Sequence, residues 1–161
     1  MESQKALKPV YNFYTQLSIG KGFEAVTSHA LDRIGAIHRE ATLSEQFKGY
    51  DFLLADGTKI ECKLDTYASK NGRIFLELTQ GKTLGCIFTT GADIILFSTG
   101  LKVYSFTPKY LREWFAAHSE SLKLLTVSTG STGVTYPLQP DDLHCDIEQL
   151  PQFLEELLRN C

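Results

Sequence analysis

GYDFLLADGTKIECKL, residues 49–64, is the stretch whose reading decides the fold. Apolar and β-branched residues fill two short arms, Tyr50–Leu54 and Thr58–Leu64, around Ala55-Asp56-Gly57, and Asp-Gly is a strong hairpin signal. Three charges sit in arms that otherwise read as buried: Asp51, Glu61 and Lys63. Glu61 and Lys63 are two apart and share a face of a strand, while Cys62 between them points to the other face. The turn decides whether Asp51 joins them. A two-residue turn at Asp56-Gly57 pairs Ala55 with Thr58 and sets Asp51 opposite Cys62. A three-residue turn with Gly57 in a left-handed G1 bulge pairs Leu54 with Thr58 and brings Asp51 to Glu61 and Lys63. Gly57 adopts that backbone at no steric cost, so the bulged turn is expected. Facing carboxylates repel and invite a cation, so a metal site is expected with it.

Around this hairpin, the apolar positions Phe23, Ala25, Val26, Ala30, Leu31, Ile34 and Ile37 recur at helical spacing from about Ser18, with Gly35 near the end. Glu24 falls in the first turns of that helix, where the dipole favours a carboxylate. Residues 38–48 are polar and lead into the hairpin through an edge strand at Ala41–Leu43. After a polar loop, Asp65–Gly72, the run Arg73–Thr79 alternates as a third strand and carries Glu77 in its middle. Residues 80–91 fit no single pattern. Ala92–Thr99, the most hydrophobic run, is expected as a central strand, followed by Lys102–Phe106. Thr107-Pro108 then starts a helix to about His118. A hairpin over Leu122–Ser128 and Val134–Leu138 and a C-terminal helix from Pro151 complete the pattern. The element order predicts an α/β protein with one mixed sheet of about five strands flanked by helices.

At 161 residues the chain suits one domain, with a core at about 18–118 and the C-terminal hairpin and helix appended at 119–161. Its 43% apolar and 22% charged residues indicate a folded chain. No run suits a membrane span, and the N-terminus lacks the apolar stretch of a signal peptide. Cys62, Cys86, Cys145 and Cys161 show no zinc spacing, which fits free thiols in a reducing cytoplasm. The net charge of −3 argues against broad nucleic-acid affinity, so any such surface must be local. His29 and His38 have no ligand partner at metal spacing. Tyr67 either stacks on a base or covers its loop.

Asp51, nine residues, then Glu61-Cys62-Lys63 on two hairpin strands resembles the PD-(D/E)XK nuclease superfamily, whose pattern is an acid at one strand start and (D/E)-x-K on the next. Glu24 fills the place of the helix glutamate of small phage and Holliday-junction-resolvase-type members. Tyr50 stands where the motif has proline. The resemblance covers about residues 18–118 and implies the restriction-endonuclease-like core (αβββαβ). It further implies an Mg²⁺- or Mn²⁺-dependent endonuclease that cuts DNA, branched DNA in particular, in the cytoplasm, or the host cytoplasm if phage-encoded. Asp51, Glu61, Glu24 and the Cys62 carbonyl become metal ligands, and Lys63 acts on the water or the phosphate. Glu77 is a weaker candidate. Lys70, Arg73 and Lys82 flank the site as candidate phosphate contacts. Symmetric cuts in a junction imply a homodimer. The alternative is a non-catalytic nucleic-acid-binding or assembly module that keeps the fold.

Overall fold

In the computed structural model, which describes Tyr14, residues 22–127 and residues 130–160, Gly57 has a φ of +93°. The Gly57 amide donates to the Leu54 carbonyl and the Leu54 amide to the Thr58 carbonyl, both at 2.9 Å, which is the bulged three-residue turn. The Asp56 carboxylate accepts from the Thr58 amide at 2.9 Å and closes it. Strands β2 (Phe52–Leu54) and β3 (Lys59–Leu64) pair with Phe52 opposite Ile60 and Leu53 opposite Lys59. The first arm is shorter than Tyr50–Leu54. At Asp51 the amide donates to the carbonyl of Ile60, already opposite Phe52, so regular pairing stops there.

Helix α1 (Phe23–Arg33) precedes the hairpin, with Gly35 at φ +72° beyond its end. Its expected start near Ser18 lies outside the described residues. The edge strand is β1 (His38–Glu40), antiparallel to β2, not Ala41–Leu43. The difference has a local cause: Thr42 caps the short helix α2 (Leu43–Gln46) in a reciprocal capping box with Glu45. The Asp65–Gly72 loop contains a single helical turn, α3 (Ala68–Asn71).

Strand β4 (Arg73–Gln80) does not join the hairpin's sheet, where it was expected as a third strand. It pairs with β5 (Thr83–Leu84) and, over most of its length, with β9 (Ser131–Pro137), which also pairs with β8 (Leu125–Thr126). These four strands form a second sheet in the order β5-β4-β9-β8. After the short helix α4 (Cys86–Thr89), the chain returns to the first sheet as β6 (Ile94–Ser98), parallel to β3. A parallel neighbour requires a crossover of this kind. β7 (Lys102–Phe106) follows antiparallel, and β10 (His144–Asp146) closes the edge. The protein is thus an α/β fold with a mixed central sheet of six strands, β1-β2-β3-β6-β7-β10, and a second, smaller sheet.

All five residues of β6 are buried because both faces of the central sheet are covered. Ile94 and Leu96 pack with α1 and the C-terminal helix α6 (Leu150–Arg159). Ile95 and Phe97 pack with β4, β9 and α5 (Pro108–His118), whose start is capped by Thr107 accepting from the Tyr110 amide. The segment beyond residue 118 therefore supplies strands to both sheets. Where β9 crosses β4, Gly133 lies so close that a Cβ would collide with the Leu76 carbonyl. Among the described residues no helix is long and apolar enough to cross a membrane, and Cys62, Cys86 and Cys145 are free thiols.

Candidate active site

The parity of β3 divides its side chains between the two faces of the central sheet. Cys62 lies opposite Leu96 and its sulfur meets Thr27 of α1 at 3.5 Å. Burial on that side pushes its thiol pKa up. Glu61 and Lys63 lie opposite Ile95 and Phe97, on the face covered by the second sheet. Glu61 is only 7% exposed, and Lys63 Nζ is 3.1 Å from its Oε1. The other oxygen, Oε2, accepts from the Thr90 hydroxyl at 2.8 Å and from the Cys86 thiol at 3.3 Å. A buried carboxylate in this fold is thus satisfied on both oxygens.

Thr90 was not foreseen, and neither was Cys86. The Thr90 Oγ1 is also 2.6 Å from the Gly49 carbonyl and accepts from the Ala92 amide at 3.1 Å. Its single proton serves Gly49 or Glu61, so one hydroxyl ties the hairpin's first residue to its central carboxylate. Both residues come from the stretch 80–91, whose glycines and short apolar centre carry no periodicity to mark them. Burial, then the charge of Glu61, pushes the Cys86 thiol up to about 12.

Asp51 takes a different position from the one a plain ladder would give. Its Oδ2 accepts from the Cys62 amide at 2.7 Å, replacing a backbone acceptor where β2 ends. Burial pushes the Asp51 carboxyl pKa up, against the pull of that amide; the charge of Glu61 adds to the rise and Lys63 opposes it. Glu24, in the first turn of α1, is raised by partial desolvation, by the charges of Asp51 and Glu40, and by hydrogen bonding with Asp51. Asp51 therefore meets Glu24 of α1 and feels the charges of Glu61 and Lys63, which are themselves paired. Lys63 remains a cation: burial opposes its charge, but neighbouring negative charges, Glu61 and Glu77 among them, outweigh burial and raise its pKa.

Glu77 reaches this neighbourhood from the second sheet. Its Oε2 accepts from Ser131 at 2.8 Å, beside a register shift in the β4–β9 pairing. Lys63, Glu77 and Cys86 line a cleft of about 270 Å³ between the two sheets. Lys70, Arg73 and Lys82 are exposed, and none lines that cleft. The histidines serve structure: His38 bonds Ser28 and the Ala36 carbonyl, and His29 bonds Tyr14.

Among the described residues no three His, Cys, Asp or Glu side chains converge on one metal position. The donor chemistry nevertheless suits a hard cation. Two carboxylates, Asp51 and Glu24, meet here, and the cost of holding them together shows in the raised pKa of Glu24. A strand residue directs its N–H and C=O to the same side. The Cys62 amide points at Asp51, so its carbonyl points there too. Glu61 would join such a set by exchanging Lys63 for the ion. The chain matches no protein-family model, no curated protein and no solved structure.

Proposed function

We propose that the protein is a metal-dependent endonuclease hydrolysing DNA phosphodiester bonds, with branched DNA such as a Holliday junction as its substrate. The observation that carries this reading is a buried, lysine-paired Glu61 on the same hairpin as Asp51, whose carboxylate meets Glu24 of α1 and raises its pKa. Charges are rarely buried in this way without a partner or a cation. The spacing of Asp51, Glu61 and Lys63, and the helix that carries Glu24, agree with the PD-(D/E)XK pattern.

In this mechanism Asp51, Glu24 and the Cys62 carbonyl hold Mg²⁺ or Mn²⁺, and Glu61 completes the set. The bound ion supplies Lewis-acid polarisation of the phosphate and a more acidic water. Lys63 holds its proton, given its raised pKa, so it donates to a phosphate oxygen and stabilises charge at the pentacovalent phosphorus instead of acting as a base. Glu61 orients Lys63, and Thr90 fixes Glu61. The partners are DNA and a second copy of the chain, in the cytoplasm or a phage host's cytoplasm.

The test is cleavage of linear duplex, single-stranded and four-way DNA in Mg²⁺ or Mn²⁺, by wild type, Glu61→Ala and Lys63→Ala. The expected result is cleavage by wild type, with the largest effect on four-way DNA, and none by either variant. Activity that persists in both variants sinks this active site. Wild-type binding without cleavage would instead favour the non-catalytic module.

A further inference from the structure

We infer that the cleft between the two sheets receives one unstacked DNA base, and that it favours a base with an exocyclic amino group over thymine. The inference rests on the nuclease reading, because Lys63 is the group that joins the cleft to the proposed cutting site.

The cleft has about 270 Å³. That lies just below the roughly 300–1,000 Å³ of pockets for drug-sized ligands, so it suits a single ring system and not a base pair. Phe97 on the central sheet and Phe75 on the second sheet supply aromatic surface to its walls. Aromatic walls are what an extruded base uses in place of its stacking neighbours.

The polar groups select what enters. Asp65 Oδ2 accepts from the Phe75 amide at 2.9 Å, and Glu77 Oε2 accepts from Ser131. Each carboxylate keeps a second oxygen that no donor among the described residues engages. Two carboxylates in one cleft repel a phosphate, so the sugar–phosphate backbone stays at the mouth. They accept hydrogen bonds from a neutral group with N–H donors. Cytosine, adenine and guanine carry such an amino group, whereas thymine offers only N3–H between two carbonyl oxygens that a carboxylate repels. A strand whose phosphate meets Lys63 has its neighbouring base at the cleft. The base can reach it only where the strand is unpaired or distorted, as at a branch point.

The test uses the full chain in EDTA, where no cleavage occurs, with fluorescence anisotropy of labelled deoxycytidylate and thymidylate decamers. Wild type is expected to bind the cytosine strand about tenfold more tightly, the effect of one well-formed base contact. Glu77→Gln and Asp65→Asn should shrink that ratio. Val127→Trp, at a cleft-lining position that is 38% exposed, should fill the cleft and bring the ratio to about one. Equal wild-type affinities, or an undiminished ratio in Val127→Trp, overturn the inference, and the wild-type comparison stands even if a variant fails to fold. Cleavage in Mg²⁺ without base preference sinks this inference alone. Base preference without cleavage of any substrate supports the cleft and sinks the nuclease reading.

Discussion

Replacing Gly57 with alanine tests the turn on which the site depends. The residue has φ +93°, and no heavy atom beyond its chain neighbours lies within 4 Å of where a Cβ would stand. The cost is therefore conformational and not steric, about 1–2 kcal/mol for an L-residue in the left-handed region. The chain cannot relieve it by slipping to the two-residue turn. A one-residue slip turns every β3 side chain to the opposite face. Glu61 and Lys63 would then enter the helix side, where Thr27 and Val26 are fully buried, at a cost well above the strain. Gly57→Ala should accordingly keep the register and lose about 1–2 kcal/mol in urea denaturation. At about 2–4 °C per kcal/mol for a chain of this size, the melting temperature should fall by about 2–8 °C. Gly57→Asn should lose less, because asparagine tolerates this region. Wild-type stability in Gly57→Ala would refute the bulged turn and with it the register that sets Asp51 beside β3.

Thr90→Val should cost about 1–3 kcal/mol in urea denaturation, because it removes the one donor that Glu61 and the Gly49 carbonyl share and the acceptor of the Ala92 amide; Thr90→Ser should restore most of it, and a neutral Thr90→Val would remove the clamp. The Asp51 pKa is raised in the fold, so its ionised form destabilises the protein. That stability is whole below the ordinary aspartate pKa of about 4 and is lost as pH rises through the folded value. Asp51→Asn should therefore melt higher than wild type at pH 7 and level with it below about pH 4, and a lower melt at pH 7 contradicts this. If Asp51 helps hold Mg²⁺, millimolar Mg²⁺ should raise the wild-type melting temperature and leave Asp51→Asn nearly unmoved, since a ligand stabilises only the state that binds it; equal responses argue against the ligand role. Gly133→Ala should cost about 1–3 kcal/mol by driving β9 off β4, and an unchanged unfolding midpoint would contradict that close approach.

Where local rules suffice, the sequence was legible. Period-two parity along β3 put Glu61 with Lys63 and Cys62 behind them. The hydrophobic run Ala92–Thr99, with Ile94–Phe97 at its centre, marked a central strand, and Thr107-Pro108 marked a helix start. Alternation along Arg73–Gln80 showed which residues would be buried but not which strand would lie beside them. The partner, β9, comes about fifty residues later in a stretch of Ser, Thr and Gly with little pattern of its own. The same limit applied to the site. Thr90 and Cys86 act through a fold-back of the 80–91 segment onto β3, and no spacing within that segment encodes it.

The misplaced strand changes what the ion pair is. In a single continuous sheet, Glu61 and Lys63 would sit on an open face, where a surface pair contributes roughly 0–1 kcal/mol. With β4 crossing over that face as part of a second sheet, Glu61 is reduced to 7% exposure while the Lys63 side chain keeps 41%. Removing the lysine then strands a buried carboxylate, a loss of 3–5 kcal/mol for fully buried pairs and, with Lys63 partly in water, about 1–3 kcal/mol here. Lys63→Ala should therefore lose stability as well as activity, whereas Lys63→Ala with Glu61→Gln should regain stability and remain inactive. Restored stability without activity assigns the Glu61–Lys63 pair to chemistry, whereas a pair kept only for stability would recover activity together with the fold.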